Sequence, residues 1–228
     1  MMQIYPDPDA AVAGIADGST IMIGGFGTAG LPFALIEAVR RSGARGLTVV
    51  NNNAGNGDTG LAALLAAGQV SKIICSFPRQ TDSWVFDDLY RSDRIELELV
   101  PQGNLAERIR AAGAGVGAFF TPTGYGTPLA EGKETRKIAG RWQILEYALP
   151  ADVALIAADR ADGVGNLVYR KTARNFAPIM AGAAATTIVQ VRELVAVGDL
   201  DPEAVITPGI FVDRVVRAEP YAPGREGS

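Results

Sequence analysis

The chain has 228 residues, of which 48% are hydrophobic, and its 21 basic and 25 acidic side chains give a net charge of −4. This length supports a sizeable core, and because no long linker divides the sequence we expect a single domain over residues 1–228. The absence of histidine excludes Ser-His and Cys-His nucleophile pairs and most zinc sites, so we expect no metal. An acidic balance without a basic cluster argues against nucleic acid as a partner.

The sequence also carries signals about its compartment. No apolar run approaches the roughly 20 residues that a membrane span needs, and the N-terminus lacks the basic and then apolar order of a secretory signal. The only cysteine, Cys75, ends an apolar strand-like run, which favours a buried structural thiol over a nucleophile. We therefore expect a cytoplasmic protein without membrane association.

In its first half the chain alternates apolar, strand-like runs with helical ones. Asp7 is a candidate N-cap for a short helix over 8–15. The predicted strands lie near 20–24, 47–51, 70–75, 95–100 and 117–121. The predicted helices lie near 32–42, 59–67, 82–91 and 103–113. This alternation predicts an α/β fold with an open, mostly parallel sheet and helices on both faces.

The pattern changes after Thr121. Residues 134–147 read as two strands around a turn at Ala139 and Gly140, which predicts a small antiparallel insertion. Further strands are predicted near 153–157, 166–169, 187–191 and 211–216. The tail, 219–228, is predicted to be loose.

A glycine-rich turn follows the strand predicted near 20–24. The run from Gly25 through Phe26 and Gly27 to Gly30 fits the dinucleotide pattern G-x-G-x-x-G, but that fingerprint also requires an acidic residue about 20 positions further on. No acid lies between Glu37 and Asp58. The glycines therefore indicate a dinucleotide site that lacks its confirming residue, an ordinary tight turn, or a wall where another ligand approaches the backbone.

Two polar segments follow later strands. Asn51, Asn52 and Asn53 come directly after an apolar strand, and Gln102 and Gly103 open a helix after another. Ligands bind at the carboxyl ends of strands in open α/β sheets, so these amides are candidates to orient a polar ligand, although they could equally cap a helix or form a turn. Gln102 beside the free N–H groups of a helix start is a workable oxyanion donor.

Other strand-end residues offer weaker signals. A glycine-rich run over 113–127 lacks the Lys-Ser/Thr pair of a P-loop and suits a flexible wall around an organic acyl group. Arg79 could bind the distal carboxylate of a dicarboxylic acid, or be an ordinary surface arginine. The run 131–134 reads as a surface loop. No nucleophile or base is placed beside the candidate oxyanion donors, so the sequence predicts half of an acyl-transfer site.

These segments together resemble the A-type subunit of the family I CoA-transferases. The matching blocks are 17–32 (Asp-Gly, three apolar residues, Gly-Gly-Phe, then Gly-x-Pro), 51–55, 101–110 and 118–124, in that order. The resemblance covers about residues 5–217, and it is most similar to the 3-oxoadipate branch in 51–60, 75–80 and 169–176.

The resemblance implies a CoA-transferase fold and transfer of CoA from succinyl-CoA to 3-oxoadipate in the catabolism of aromatic compounds. It further implies that the nucleophile is a glutamate of a separate, B-type subunit, in a Ser-Glu-Asn-Gly stretch that this chain lacks. Gln102 matches the position of the family's oxyanion donor. The predicted substrate-binding residues are Asn51, Asn52, Gly25, Phe26, Gly27, Gly103 and Arg79.

The implied assembly is a heterotetramer or a similar hetero-oligomer with the B-type subunit, acting on succinyl-CoA and a 3-oxoacid without a cofactor. Two alternatives stay open at this point. One is a transferase that acts on acetoacetate or another short 3-oxoacid, because such enzymes share the core motifs. The other is a non-catalytic ligand-sensing module of the same fold.

Overall fold

The computed structural model describes residues 2–218, so the tail predicted over 219–228 lies outside the described residues. The strands are β1 (Gln3–Tyr5), β2 (Thr20–Ile23), β3 (Leu47–Val50), β4 (Val70–Cys75), β5 (Glu96–Leu99), β6 (Ala118–Thr121), β7 (Thr135–Ile138), β8 (Arg141–Tyr147), β9 (Ala151–Asp162), β10 (Leu167–Val168), β11 (Ala184–Val195) and β12 (Arg214–Arg217). The α-helices are α1 (Pro8–Val12), α2 (Phe33–Ser42), α3 (Leu61–Ala66), α4 (Trp84–Arg91), α5 (Gln102–Gly113) and α6 (Ala177–Ala181). Within this part of the chain, no helix is long and apolar enough to cross a membrane.

The strands form one large sheet and one small one. The large sheet has the order β1-β12-β11-β9-β2-β3-β4-β5, with β10 beside β9. Every pair along this order is parallel, and only β10 is antiparallel to its neighbour. The small sheet, β6-β8-β7, is antiparallel. Both the open, mostly parallel sheet and the antiparallel insertion near 134–147 are therefore confirmed.

Helices cover both faces of the large sheet because side chains alternate along each strand. Ile21 and Ile23 pack with Leu35 of α2 in one buried cluster. Met22, which points to the other face, packs with Leu105 of α5 in a second cluster. The two cores lie on opposite sides of the sheet, as the α/β prediction requires.

Several details differ from the sequence-based prediction. β9 and β11 each have 12 residues, more than twice the lengths predicted near 153–157 and 187–191, and β12 begins at Arg214 because Gly209–Phe211 form a 3-10 helix. β6, predicted within the βα alternation, pairs instead with β8 in the small sheet; strand periodicity carries no information about the pairing partner. β1 and α6 were not predicted, because each is very short. α1 ends at Val12, although Asp7 caps it as expected by accepting a hydrogen bond from the N–H of Ala10 at 2.8 Å.

The parallel arrangement decides where the candidate residues lie. β2, β3, β4 and β5 are neighbours in this order, so their carboxyl ends share one edge, which we call the site edge. The glycine turn follows β2, the asparagine run follows β3, Arg79 follows β4, and Gln102 follows β5. Neighbouring strands are about 4.8 Å apart, which places the ends of β3 and β5 about 10 Å from each other.

Candidate active site

Hydrogen bonds join the loops of the site edge into one surface. The side chain of Asn51 donates from Nδ2 to the carbonyl oxygen of Ile23 at 2.7 Å, which links the loop after β3 to β2. The N–H of Ser76 donates to the carbonyl oxygen of Asn52 at 3.2 Å, and the N–H of Val100 donates to that of Cys75 at 3.0 Å. The loops after β3, β4 and β5 are therefore connected step by step across the edge.

Asn51 and Asn52 are held inside this surface. Asn51 is fully buried, and its Oδ1 accepts from the N–H of Asn53 at 2.9 Å while its Nδ2 bonds to β2. Asn52 is also buried, and its Oδ1 accepts from the hydroxyl of Ser76 at 2.8 Å. The side chain of Asn51 fixes the backbone of the edge and that of Asn52 holds the Ser76 hydroxyl. Direct contact of either residue with substrate stays a prediction.

Asn53 belongs to the candidate asparagine run but was not among the predicted substrate-binding residues. Its Oδ1 accepts from the N–H of Gly55 at 2.9 Å, but its buried Nδ2 has no hydrogen-bond partner within residues 2–218. A buried, unsatisfied donor is unfavourable by about 1–3 kcal/mol. Asn53 also lines a narrow cavity between its own loop and Gly27 and Thr28 of the glycine turn. The cavity has room for about one water-sized group.

The glycine turn has a clamped part and an open part. Asn175 accepts at Oδ1 from the N–H of Gly25 at 3.0 Å and donates from Nδ2 to the carbonyl oxygen of Ala29 at 2.9 Å. A Cβ on Gly30 would lie 2.1 Å from the carbonyl oxygen of Ala173, so this glycine is required by packing. Together these contacts hold both ends of the turn.

The centre of the turn is open. Phe26 is exposed, and a Cβ on Gly27 would meet no atom within 4 Å. Gly27 has a φ of +60°, which favours glycine even without crowding. The tight-turn interpretation therefore accounts for Gly25 and Gly30, whereas Phe26 and Gly27 remain accessible to a ligand.

The start of α5 presents unused hydrogen-bond donors. Gln102 is exposed, and its side chain has no hydrogen-bond partner in the described part of the chain. Pro101, the N-cap, provides no side-chain cap, and the helical hydrogen bonds begin with the N–H of Leu105 donating to Pro101 at 2.8 Å. A Cβ on Gly103 would meet open space. The N–H groups of Gln102 and Gly103 and the Gln102 amide can therefore face a developing negative charge.

Asn104 anchors this helix start to the small sheet. Its Nδ2 donates to the carbonyl oxygen of Thr123 and to Oε1 of Glu146, both at 3.1 Å. Glu146 is almost fully buried and pairs with Nζ of Lys133 at 2.7 Å. Residues 131–134 form a surface loop as expected, and the structure adds that the partly exposed Lys133 of this loop compensates a buried carboxylate.

The glycine-rich run over 113–127 is divided between two places. Thr123 lies beside Asn104 near the site edge. Gly113 is the last residue of α5, which at 1.5 Å per residue is about 17 Å from Gln102, and a Cβ there would lie 3.0 Å from the backbone of Gly182. Of the run over 113–127, only the part around Thr123 can border the candidate site.

The structure gives partners to several charged groups and buries the thiol. Nε of Arg79 pairs with Asp87 at 2.6 Å, and its side chain is half exposed. Arg108 pairs with Glu98 at 2.8 Å and is largely buried.

Cys75 is buried, which raises the pKa of its thiol to about 12, so the interpretation of Cys75 as a structural thiol is confirmed.

The chain belongs to the Coenzyme A transferase family, whose model matches residues 5–218. It is 66% identical over 212 residues to the A-type subunit of 3-oxoadipate CoA-transferase from Pseudomonas putida, covering 93% of this chain and 92% of the relative. It is 54% identical over 213 residues to the A-type subunit of succinyl-CoA:3-ketoacid coenzyme A transferase from Xanthomonas campestris, covering 93% and 87%.

A solved structure supports the fold. Glutaconate coenzyme A-transferase from Acidaminococcus fermentans superimposes with a TM-score of 0.84 at 21% identity, covering 94% of this chain and 75% of that one. The CoA-transferase type of sheet and the family resemblance are both confirmed. Family membership and the missing acid leave the dinucleotide interpretation of the glycine turn without support.

Proposed function

We propose that this chain is the A-type subunit of a two-subunit CoA-transferase that moves CoA from succinyl-CoA to 3-oxoadipate. The observation that carries the proposal is the exposed Gln102 amide at an uncapped helix start on the site edge. This is an arrangement for stabilising an oxyanion. The name and the 66% identity of the Pseudomonas putida relative support the particular substrates.

In the proposed reaction, the glutamate nucleophile is on the B-type subunit. Its carboxylate attacks the thioester of succinyl-CoA, and CoA leaves as the thiolate to give an acyl-glutamyl anhydride. The thiolate attacks the glutamyl carbonyl and releases succinate, which leaves a glutamyl-CoA thioester. The carboxylate of 3-oxoadipate then displaces the thiolate, and the thiolate attacks the new anhydride to release 3-oxoadipyl-CoA and restore the glutamate.

The residues of this chain stabilise the steps rather than form covalent bonds. Each step passes through a tetrahedral intermediate with negative charge on oxygen, and a donor that meets this charge lowers the barrier. Gln102 and the N–H of Gly103 are the proposed donors, and Asn53, with its unpaired Nδ2, is a proposed donor to a substrate oxygen. Phe26 and Gly27 form the open wall next to the substrate. Neutral amides suit this role because they form no tight pair with the substrate's carboxylate.

The proposed complex contains the B-type subunit, in a heterotetramer or a similar hetero-oligomer, and acts in the cytoplasm without a metal, another cofactor or nucleic acid. The main alternative is a transferase for acetoacetate or another short 3-oxoacid, which the 54% identity to the Xanthomonas relative keeps open. A panel of acceptor acids with the purified complex separates these substrates. A non-catalytic sensing module would bind a ligand and turn over none of them.

Covalent trapping tests the proposal directly. The complex of both subunits is incubated with succinyl-CoA, reduced with borohydride and analysed by mass spectrometry. We expect the modified residue to be a glutamate of the partner, and we expect this chain alone to form no thioester and to show no turnover. A modified residue in this chain, or turnover by this chain alone, would contradict the proposed half-site.

A further inference from the structure

The first turn of α5 is held in place by an apolar contact and a polar one. Leu105 is fully buried and packs with Met22 in the second core cluster, but apolar contacts are not directional. The N-cap Pro101 adds no side-chain hydrogen bond. The polar contact is made by the buried Asn104, and it is directional because hydrogen bonds weaken steeply when they are misaligned.

Asn104 ties this first turn to the small sheet. Its Nδ2 donates to the carbonyl oxygen of Thr123 and to Oε1 of Glu146, both at 3.1 Å. Both partner atoms accept hydrogen bonds, so the NH₂ group of the amide must face them. Glu146 belongs to β8, which lies between β6 and β7 and pairs with both. The helix start is therefore anchored to the central strand of that sheet.

The acceptor of this bond is itself fixed. Glu146 is almost fully buried, and its Oε1 also accepts from Nζ of Lys133 at 2.7 Å. A buried carboxylate is strongly unfavourable unless it is paired, and the ammonium of Lys133 supplies the pair. One oxygen atom thus joins the loop over 131–134, the small sheet and the first turn of α5.

Asn104 and Gln102 lie on opposite sides of the helix. Two residues correspond to a rotation of about 200° around the axis of an α-helix. Asn104 is buried accordingly, whereas Gln102 is exposed. A bond that holds Asn104 inward therefore fixes the rotation of the first turn and the direction in which Gln102 points. Such a direction matters, because misplacing a reacting group by about 1 Å can lower a rate by about a hundredfold.

We propose that Asn104 and Glu146 are positioning residues that hold the start of α5 so that the Gln102 amide meets the oxyanion. This inference rests on the proposed function, because that function makes Gln102 an oxyanion donor. In this role Asn104 contacts no substrate and acts through Gln102 alone. Glu146 acts one step further away, as the fixed acceptor for Asn104. The small antiparallel sheet is then the support of the donor.

A double-mutant cycle tests whether Asn104 acts through Gln102. In the complex of both subunits, we expect Asn104→Ala to lower kcat about tenfold and to change KM for succinyl-CoA less than about twofold. In the Gln102→Ala background, the same change should lower kcat less than about twofold, because the donor is already missing.

The cycle separates failure of this inference from failure of the proposed function. A tenfold loss in both backgrounds would overturn the positioning role and leave Gln102 as the donor. Wild-type turnover of Gln102→Ala would contradict the proposed donor, and the positioning role would fall with it.

Gln69→Ala is the matched control for lost stability. Gln69 and Asn104 are each 3% exposed, and Nε2 of Gln69 also donates to two oxygen atoms, the carbonyls of Val39 at 3.1 Å and Ala44 at 2.9 Å. Gln69 precedes β4, so the length of that strand separates it from the site edge. Both alanine variants should lower the free energy of unfolding in urea, but only Asn104→Ala should lower kcat. An equal fall in kcat would overturn the proposal.

The conservative change at Glu146 tests its part. Glu146→Ala should lower kcat about as much as Asn104→Ala does. Glu146→Gln should recover most of this loss, because its amide oxygen still accepts a hydrogen bond from Asn104. A glutamine variant as slow as the alanine variant would overturn the role of Glu146 as the positioning acceptor.

Hydrogen exchange reports on the helix start independently of turnover. The N–H of Leu105 donates to the carbonyl oxygen of Pro101 at 2.8 Å at the start of α5. In the complex that carries Asn104→Ala, we expect this N–H to exchange about tenfold faster or more, although alanine favours helix more than asparagine does. Exchange of the N–H of Val50 in β3 is followed as the reference for global opening. Unchanged protection of Leu105 would overturn the proposal.

Discussion

Asn51 and Gln102 lie at the same edge of the sheet, yet the fold uses them differently. Asn51 is fully buried, and both polar atoms of its side chain bond to backbone groups, Nδ2 to Ile23 of β2 and Oδ1 to Asn53 in its own loop. Gln102 is exposed at a helix start that no side chain caps. The two side chains have the same amide chemistry and follow strands only two positions apart in the sheet.

Asn51 is thus a residue that builds the site edge, whereas Gln102 is free to act on a substrate there. An amide whose donors and acceptors are already satisfied has little to offer a substrate unless it gives up a bond. An unpaired amide at a helix start can meet a transition-state charge without such a loss. Substitutions at the two positions should therefore change different measurements.

The largest effect is expected for Gln102→Ala. Removing one oxyanion donor raises a barrier by about 3 kcal/mol, so kcat of the reconstituted complex should fall by roughly a hundredfold or more. Unfolding and assembly of the complex should stay unchanged, because the wild-type side chain makes no bond within the described chain. Wild-type turnover in this variant would remove Gln102 from the proposed site.

Asn51→Ala should act on stability instead. It leaves the carbonyl oxygen of Ile23 and the N–H of Asn53 without their partners, and each buried group that loses a bond is unfavourable by about 1–3 kcal/mol. We expect the free energy of unfolding in urea to fall by about 2 kcal/mol or more. A variant as stable as the wild type, with reduced turnover, would instead place Asn51 among the substrate-binding residues.

Arg79 is intermediate between Asn51, whose side chain is fully bonded, and Gln102, whose side chain is unbonded, and Arg79→Ala tests its role. Arg79 already pairs with Asp87 through Nε, but its side chain is exposed and its remaining N–H groups could bind a second carboxylate. We expect the preference for 3-oxoadipate over acetoacetate, as a ratio of kcat/KM, to fall by about tenfold, which corresponds to about 1.4 kcal/mol. An unchanged ratio would assign Arg79 to the Asp87 pair alone.

The smallest effect concerns how α5 is anchored behind Gln102. Burial on its own raises the pKa of Glu98, but Arg108 of α5 and Lys72 of β4 outweigh it and hold that pKa below its usual value. The stabilisation from Glu98 is therefore present above the unfolded pKa of about 4.3 and is lost as the pH falls through the lower folded value.

We accordingly expect Glu98→Gln to lower the free energy of unfolding by about 1 kcal/mol at neutral pH. The difference from the wild type should shrink as the pH falls below the unfolded pKa of about 4.3, because the unfolded chain then takes up a proton before the folded chain does. Urea unfolding at both pH values measures this change. Glu107→Gln is a suitable control, because Glu107 pairs on the surface with Arg110. A difference that does not depend on pH would mean that the carboxylate charge contributes nothing.

Much of the fold follows from local patterns in the sequence. The βα alternation from Thr20 to Gly113 and the hairpin turn at Ala139 and Gly140 agree with the structure closely, because periodicity and turn residues are local signals. The assignment of β6 to the small sheet was missed because strand pairing depends on contacts between distant residues.

The candidate site was harder to predict for a related reason. The sequence places polar residues at strand ends, but the difference between Asn51 and Asn53 is whether a partner atom lies within reach. The unpaired Nδ2 of Asn53 and the buried pair of Lys133 with Glu146 both depend on tertiary packing. Lys133 stands between a glycine and an acidic residue, and this setting gives no local sign that it compensates a buried charge.

The clamp on the glycine turn has a consequence for how the chain folds during synthesis. Asn175 holds Gly25 across 150 positions of sequence, and β9 must lie beside β2 for the two to meet. The N-terminal part that leaves the ribosome first therefore lacks this clamp, and its turn is held only by the local hydrogen bonds between Phe26 and Ala29. Truncated chains that stop before Asn175 should form the contacts between β3 and β4, but Gly25 and Ala29 should lack their hydrogen bonds to Asn175. The chain therefore becomes able to bind its ligand only late in translation.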